Sequence, residues 1–248
     1  MIIHELMAEA KKHYTGQRII DLRVGLSYTG ALLEDDTCGI AFSFAQEALL
    51  GTELLPNPGN INGMDALEVL SWAESPHPVM AAAGVAVMNA LTGQAASGFF
   101  EANVVDILDV APHETVGMVG HFRPFVQQVR EQAKQLYIFD RTLGTEGVLP
   151  DWAEDLHLPQ CDVVMITGTT IVNKTIDRVL ALCQNAREII LLGPTTVMLP
   201  QIFGQYGVTL LAGSRVTDGP GMMTLLSQGG GGQGVGQYAQ KLTLRLPK

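Results

Sequence analysis

Hydrophobic and polar positions divide the chain into two parts with different periodicities. In the first part, residues 3–14 carry apolar side chains at the spacing of an amphipathic helix. Residues 18–26 then alternate, which is typical of a half-buried strand. The residues on its predicted apolar face are Ile20, Leu22, Val24 and Leu26. Two further extended segments complete an antiparallel meander: residues 28–33 and residues 38–44.

A nearly uniform apolar segment follows at residues 78–91, after a shorter helical pattern at residues 65–73. A helix with almost no polar face is predicted to pack in the interior of the protein. Asn89 is the polar exception in this segment. A buried amide must find hydrogen-bond partners, so Asn89 either ties the two parts of the chain together or lines a cleft.

The second part, from about residue 112, alternates continuous apolar runs with helical patterns. Such runs are typical of parallel strands that are buried on both faces. A further apolar run at residues 242–246 is predicted as a final strand. The five earlier runs are residues 116–120, 136–140, 162–168, 188–193 and 208–213. The helical patterns between them are residues 124–134, 174–184 and 200–206.

The change in pattern near residues 102–112 predicts two domains. Residues 1–108 are expected to form an α+β domain. Residues 109–248 are expected to form a Rossmann-like domain with a doubly wound parallel sheet. The chain as a whole is therefore predicted to be an α/β protein, and its length of 248 residues suits one or two domains.

Composition excludes some classes of binding partner and indicates the cellular compartment. Hydrophobic residues make up 47% of the chain and charged residues only 16%, so a packed core is expected rather than disorder. The formal net charge of −10 repels phosphate, so neither nucleic acid nor membrane is expected as a partner, while a homo-oligomer stays open. The longest apolar run, residues 79–88, is too short to span a bilayer. Three widely spaced cysteines without a CxxC pair favour a reducing cytoplasm.

The ends of the five predicted strands carry the candidate chemistry. In open α/β sheets, ligands bind beyond the carboxyl ends of the strands. Small residues there let backbone amides approach a ligand, and hydroxyls with helix N-termini bind anions. Any one of these residues could simply cap the next helix, but the five ends together favour a ligand site. The candidates are Gly120, His121, Phe122, Asp140, Arg141, Thr167, Gly168, Gly193, Pro194, Thr195 and Gly213.

Asp140 lies twenty residues after Gly120, where a nucleotide-binding Rossmann domain keeps the acid that binds ribose. The glycine fingerprint of such domains is absent, because Phe122 and Phe125 occupy the two positions that should be glycine. A phenylalanine at the first of these positions blocks the approach of a pyrophosphate to the backbone, so NAD binding is not expected. The simpler interpretation of Asp140 is a helix cap or a partner for Arg141.

His121 and Asn173 have the widest range of possible roles. His121 directly follows the first strand of the second part, where an imidazole can ligate a metal, exchange a proton or donate a hydrogen bond. No pair of histidines or cysteines has close zinc-type spacing, so the sequence alone gives little evidence of a metal site. Asn173 suits the N-cap of a helix that begins at residue 174, and it could equally hold a ligand.

Six motifs together resemble the heavy-metal chelation family, long filed as a domain of unknown function. They are MVGHF at 118–122, Asp140-Arg141, the 162–168 run with Asn173 and Thr175, LLGPTT at 191–196, LAGSRVTD at 211–218 and the glycines at 229–232. The first part, with GIAFSF at residues 39–44, is similar to the enolase N-terminal-like domain that precedes this domain in the family. The resemblance implies an enolase-N-like α+β domain packed on a Rossmann-like domain, with a site in the cleft between them.

The resemblance also implies a set of site residues and a metal. A transition or heavy metal ion, met by His121, is the cofactor that the family implies, and its identity stays open. The residues carried over are Gly120, His121, Phe122, Arg141, Thr167, Gly168, Asn173, Gly193, Pro194, Gly213 and Asp218.

Three functions compete on these grounds. The leading hypothesis is a cytoplasmic protein that binds a small anionic or metal-chelating ligand in the cleft between its domains, with His121 at the metal or the reacting atom. The second is a transferase that uses a nucleotide or S-adenosylmethionine, with Asp140 on the ribose. The third is a non-catalytic carrier of metal or of a chelate. Whether the protein is an enzyme stays open.

Overall fold

The computed structural model describes residues 1–45, 54–93, 98–102, 104–142 and 144–247. These residues form a three-stranded sheet and a seven-stranded sheet. The strands are β1 (Ile19–Val24), β2 (Tyr28–Leu33), β3 (Cys38–Phe42), β4 (Thr115–Val119), β5 (Gln135–Phe139), β6 (Val148–Leu149), β7 (Val163–Thr167), β8 (Glu188–Leu192), β9 (Leu210–Val216) and β10 (Ala239–Arg245). The α-helices are α1 (Ile2–Lys11), α2 (Ala66–Ser71), α3 (Pro78–Thr92), α4 (Val104–Ile107), α5 (Arg123–Gln132), α6 (Glu154–His157), α7 (Thr169–Val172), α8 (Ile176–Leu182), α9 (Pro200–Phe203), α10 (Gly219–Ser227) and α11 (Gly232–Val235).

The small sheet is the predicted antiparallel meander, in the order β1-β2-β3. The predicted apolar face of β1 is confirmed in part: Leu22 and Val24 pack against the core, whereas Ile20 is 44% exposed and Leu26, beyond the strand, is 74% exposed. The pairing register shifts between Ile19 and Asp21, and Ile19 is buried instead. A one-residue irregularity moves side chains to the opposite face of a strand, which the alternation of residue types alone cannot reveal.

The helix α3 packs across the small sheet, as its apolar sequence predicts. The approach is close at Gly39, where an added Cβ would lie 2.1 Å from the carbonyl oxygen of Ala86 and 2.3 Å from the nitrogen of Ala90. Only glycine fits at this crossing. Among the described residues, no helix, α3 included, is long and apolar enough to cross a membrane.

The opposite face of the small sheet is covered by α10, from the second part of the chain. Met223 and Leu226 of this helix are buried in one cluster with Leu32 and Ile40 of the sheet. The core of the first part is therefore completed by a segment from the second. A division into domains at residues 108 and 109 stays a prediction.

The large sheet has the strand order β6-β5-β4-β7-β8-β9-β10, with β4 to β9 parallel and β10 antiparallel to β9. This is the predicted doubly wound arrangement, in which the order reverses between β4 and β7. The five predicted parallel strands and the final strand are present. The short strand β6 was not expected, and β9 continues to Val216, so Gly213 lies inside the strand rather than at its end.

Both faces of the large sheet are buried, as continuous apolar strands require. Alternate residues of β7 illustrate this, because Val164 and Ile166 join the core shared with α1, α3 and α8, whereas Met165 joins the core on the other side. That second core includes Val104 of α4 and Val129 of α5. The first core fixes the small sheet and its helices against one face of the large sheet.

Candidate ligand-binding site

A cleft of about 1440 Å³ opens where the carboxyl ends of the parallel strands meet the small sheet. This volume is larger than that of most small-molecule sites, which measure about 300–1000 Å³. The sequence-predicted residues that line this cleft are Gly120, His121, Phe122, Asp140, Arg141, Thr167, Asn173, Gly193, Pro194, Thr195 and Gly213. The topology therefore brings together residues from four of the strand ends and from the middle of β9.

Gly168 and Asp218 do not line the cleft. An added Cβ on Gly168 would lie 2.6 Å from the backbone nitrogen of Thr196, so this glycine allows two strand-end loops to pack together. Asp218 caps α10, where its Oδ1 accepts a hydrogen bond from the backbone nitrogen of Gly221 at 2.9 Å. Both positions have a local structural reason for their residue type.

Asp140 fixes the loops that follow β4 and β5. Its Oδ2 accepts a hydrogen bond from the backbone nitrogen of His121 at 3.0 Å, and its Oδ1 accepts one from the backbone nitrogen of Thr142 at 2.7 Å. Both carboxylate oxygens are therefore already engaged by the protein. These bonds make Asp140 the residue that positions the loop carrying His121 rather than a helix cap.

Phe122 leads into α5 at the edge of the cleft. Its ring stacks on that of Phe125, with the ring centroids 6.2 Å apart and the planes at 22°. Both rings pack against the core between the large sheet and α5. The two positions that would be glycine in a dinucleotide site are therefore filled by a stacked pair of aromatic side chains.

An aromatic wall, formed by Tyr28, Phe42 and Phe44, faces the cleft from the small sheet. The rings of Tyr28 and Phe42 meet edge to face at 6.0 Å, and those of Phe42 and Phe44 at 4.9 Å. The guanidinium carbon of Arg141 lies 5.8 Å from the centre of the Phe44 ring, within cation–π distance. The Phe-Ser-Phe spacing at residues 42–44 is a sequence signal for this wall, but the sequence does not say what it faces.

Asn89 ties the small sheet to a strand-end loop of the large sheet. Its Nδ2 donates to the carbonyl oxygen of Ile40 at 2.9 Å and to that of Thr195 at 3.3 Å. The Oγ1 of Thr195 in turn accepts a hydrogen bond from the backbone nitrogen of Phe42 at 3.0 Å. The first of the two predicted roles of Asn89 is therefore confirmed, and the tie sets the position of Thr195 at the cleft.

Asn173 occupies the turn between α7 and α8, and the predicted N-cap role is wrong. Its Oδ1 accepts hydrogen bonds from the backbone nitrogen of Thr175 at 3.1 Å and from its Oγ1 at 2.8 Å, while α8 begins only at Ile176. Lys174 lies between Asn173 and α8 and has a positive φ of 62°, a conformation that does not fit a helix.

The side chain of Lys174 connects the two parts of the chain. Its Nζ donates a hydrogen bond to the carbonyl oxygen of Ser75 at 3.1 Å. Burial lowers the pKa of this ammonium to about 8.

A glutamate–arginine pair at the cleft was not foreseen from the sequence. Glu154 is nearly buried, and its Oε2 accepts a hydrogen bond from Nη2 of Arg178 at 2.7 Å. Burial is the main cause that raises the pKa of the Glu154 carboxyl to about 7, although the neighbouring Arg178 lowers it. No local motif marks this pair, because its members lie on separate helices.

The residues at hand do not fit a site for a bare heavy-metal ion. Within the described parts of the chain, no group of three or more histidine, cysteine, aspartate or glutamate side chains could hold a metal. Each thiol is buried, and burial raises its pKa to about 12, so the thiolate form that binds soft metals is disfavoured. The thiols are those of Cys38, Cys161 and Cys183.

The fold and the cleft define a class of α/β proteins with a doubly wound sheet and a smaller antiparallel sheet packed on it. The chain belongs to the family described as "Putative heavy-metal chelation", whose two sequence profiles match residues 5–92 and 103–245. The resemblance of the six motifs to this family is thus confirmed. The likeness of the first part to an enolase N-terminal domain stays a prediction.

One relative and two solved structures are similar to the chain over most of its length. An uncharacterised protein of Methanocaldococcus jannaschii is 30% identical over 227 residues, which cover 86% of this chain and 83% of that protein. A crystal structure of a protein of unknown function from Pyrococcus horikoshii has a TM-score of 0.87 at 22% identity, and covers 99% of this chain and 100% of that one. A second, from Desulfitobacterium hafniense, has a TM-score of 0.81 at 24% identity and covers 98% of each chain. At this identity the two structures establish the fold alone.

Proposed function

We propose that the protein binds a small anionic, metal-chelating molecule in the cleft, and that any metal arrives already held by that molecule. The observation that carries this proposal is a large cleft with cationic side chains in its lining, combined with the lack of a metal-ligand cluster in the described residues. His121 and Arg141 would meet the anionic groups of the ligand. The aromatic wall would cover its apolar part.

The cationic side chains of the cleft support an anionic ligand despite the acidity of the whole chain. Arg141, Arg178 and Lys241 line the cleft, together with three acids at residues 140, 151 and 154. Asp140 has both carboxylate oxygens engaged by backbone N–H groups, and Glu154 is paired with Arg178. Guanidinium groups bind carboxylates and phosphates with two parallel hydrogen bonds, which suits a ligand that carries several such groups.

A transferase that uses a nucleotide or S-adenosylmethionine is the second candidate, favoured by the strand order. Two contacts count against it. The ribose-binding position, Asp140, already accepts two backbone hydrogen bonds, and Phe122, stacked on Phe125, stands where a dinucleotide site has glycine beside the pyrophosphate. NAD is therefore expected to bind no tighter than about millimolar, which corresponds to ~4 kcal/mol of binding free energy. S-adenosylmethionine has a ribose but no pyrophosphate, so only the contact at Asp140 counts against it.

Isothermal titration of the full-length protein with three probes tests the proposal: citrate, nickel citrate and nickel ion alone. Citrate and its nickel complex should bind, whereas nickel ion alone should not. Arg141→Gln should weaken the binding of citrate at least tenfold, which is about 1.4 kcal/mol. Arg130→Gln is the matched control, because Arg130 is an exposed arginine that does not line the cleft. Tight binding of nickel ion alone, with no response to citrate, would overturn the proposal.

A further inference from the structure

The pair formed by Glu154 and Arg178 joins a buried carboxylate to a half-exposed guanidinium. The Glu154 side chain is 6% exposed and the Arg178 side chain 41% exposed. Both line the cleft, next to Asn173 and Thr175. The guanidinium is shared, because its Nη1 also contacts Oδ2 of Asp155 at 2.6 Å. The carboxylate of Glu154 therefore receives only part of the charge of its arginine.

Two other buried glutamates in the described chain also pair with arginine, and the first of them shows what full compensation looks like. Glu114 is 7% exposed and accepts hydrogen bonds from Nε and Nη2 of Arg187 and from the backbone nitrogen of Ala111. These bonds hold the pKa of Glu114 down at about 2. Glu188 is 6% exposed and pairs with Arg245 at 2.7 Å. Neither of these pairs lines the cleft.

We propose that Glu154 and Arg178 form an anion-exchange site, in which an oxyanion group of the cleft ligand replaces the Glu154 carboxylate on Arg178 as Glu154 takes up a proton. The site rests on the proposed function, since it specifies how one anionic group of the cleft ligand is held. Protons and hydrogen bonds balance in this exchange. One proton passes from solvent to a carboxylate oxygen of Glu154. The Nη2 group of Arg178 then donates to an oxygen of the ligand instead of to the Glu154 carboxylate. No covalent bond to the ligand changes.

Burial, helped by two neighbouring carboxylates, favours this exchange near neutral pH. Arg178 of α8 stabilises the carboxylate, whereas Asp151, in the turn before α6, and Asp155 of α6 repel it. The thiol of Cys183, at the end of α8, also lies within electrostatic range. Burial outweighs the attraction of Arg178, which places the pKa of Glu154 at about 7. An incoming anion near Arg178 raises that pKa further, because it adds negative charge.

Sulfate is a suitable probe, because it remains a dianion across the pH range in which Glu154 titrates. Only the fraction of protein with protonated Glu154 offers Arg178 to sulfate, so the affinity follows that fraction. With a pKa of about 7, the affinity of the cleft for sulfate should increase about tenfold between pH 8 and pH 6. Titration calorimetry at pH 8 in two buffers of different ionisation enthalpy should detect the uptake of about one proton per sulfate bound.

Variants separate this site from other titrating groups. Glu154→Gln should bind sulfate at pH 8 as tightly as the wild type does at pH 6, with no pH dependence. Glu188→Gln is the matched control and should retain the wild-type pH dependence, because it removes a carboxylate of the same exposure outside the cleft. Arg178→Gln should abolish the pH-dependent component. The proton count on the wild-type protein tests the exchange even if a variant does not fold.

The inference would be overturned by the absence of proton uptake, by a full pH response in Glu154→Gln, or by the absence of sulfate binding at either pH. These results leave the proposed function untouched, because the citrate and nickel titrations test it through Arg141. Sulfate binding that is independent of pH and of Arg178 would likewise refute the exchange at Glu154. It would be consistent with an anion site elsewhere in the cleft.

Discussion

Replacing Asn89 tests how the small sheet is held against the large sheet. Asn89→Leu keeps the size of the side chain and removes both donors, so the carbonyl oxygens of Ile40 and Thr195 lose their contacts at 2.9 and 3.3 Å. Each intramolecular hydrogen bond contributes about 0.5–1.5 kcal/mol, so the loss should be about 1–3 kcal/mol of unfolding free energy. The bond of 3.3 Å is the longer one, which favours the lower half of this range.

Urea denaturation of the full-length protein measures this loss. The midpoint should fall while the slope stays unchanged, since the variant alters stability without altering the surface exposed on unfolding. Asn185→Leu is the matched control, because the Nδ2 of Asn185 donates a single exposed hydrogen bond to the carbonyl oxygen of Pro159 at 3.1 Å. Its effect should stay within about 0.5 kcal/mol. Equal effects of the two variants would refute the bridging role of Asn89.

Other predictions concern pH, packing and thiol chemistry. Arg187 holds the pKa of Glu114 at about 2, below its ordinary value of 4.5. The Glu114 carboxylate should therefore stabilise the fold by about 3 kcal/mol above pH 4.5. This contribution should be lost as pH falls from 4.5 towards 2. Glu154 has the opposite sign: stability should decline by up to about 3 kcal/mol as pH rises from 4.5 to 7, and Glu154→Gln should remove this decline in pH-dependent urea curves. Gly39→Ala should destabilise the protein by more than about 3 kcal/mol, because its Cβ would overlap the backbone of α3; a melting temperature equal to that of the wild type would contradict the close crossing. The buried thiols should resist iodoacetamide at pH 8 until the protein is unfolded, as mass spectrometry can count.

Five of the parallel strands of the large sheet could be predicted because each is a continuous apolar run, whereas β6 has only two residues and leaves no such signal. Because ligands bind beyond the carboxyl ends of such strands, the residues at those ends could be named as candidates, and most of them line the cleft. The register of β1 could not be predicted, because the irregularity after Ile19 leaves no mark in residue type. The cover that α10 gives to the small sheet could not be predicted either, because Met223 and Leu32 are far apart in sequence.

The parts of the site that the sequence did not indicate all depend on long-range packing. The aromatic wall of Tyr28, Phe42 and Phe44 faces the cleft only once the small sheet is fixed to the large one. Glu154 and Arg178 are 24 positions apart and on different helices. Asp140, in contrast, lies at the position where the sequence predicts a ribose-binding acid. Its carboxylate oxygens instead accept hydrogen bonds from two backbone N–H groups.

The most direct test of the central claim is anomalous X-ray diffraction, at the nickel absorption edge, from crystals of the full-length protein grown with nickel citrate. We expect a single anomalous peak in the cleft, surrounded by citrate oxygens, with a citrate carboxylate in contact with Arg141. A nickel ion coordinated directly by protein cysteine or histidine side chains, or an anomalous peak only outside the cleft, would contradict the proposed function.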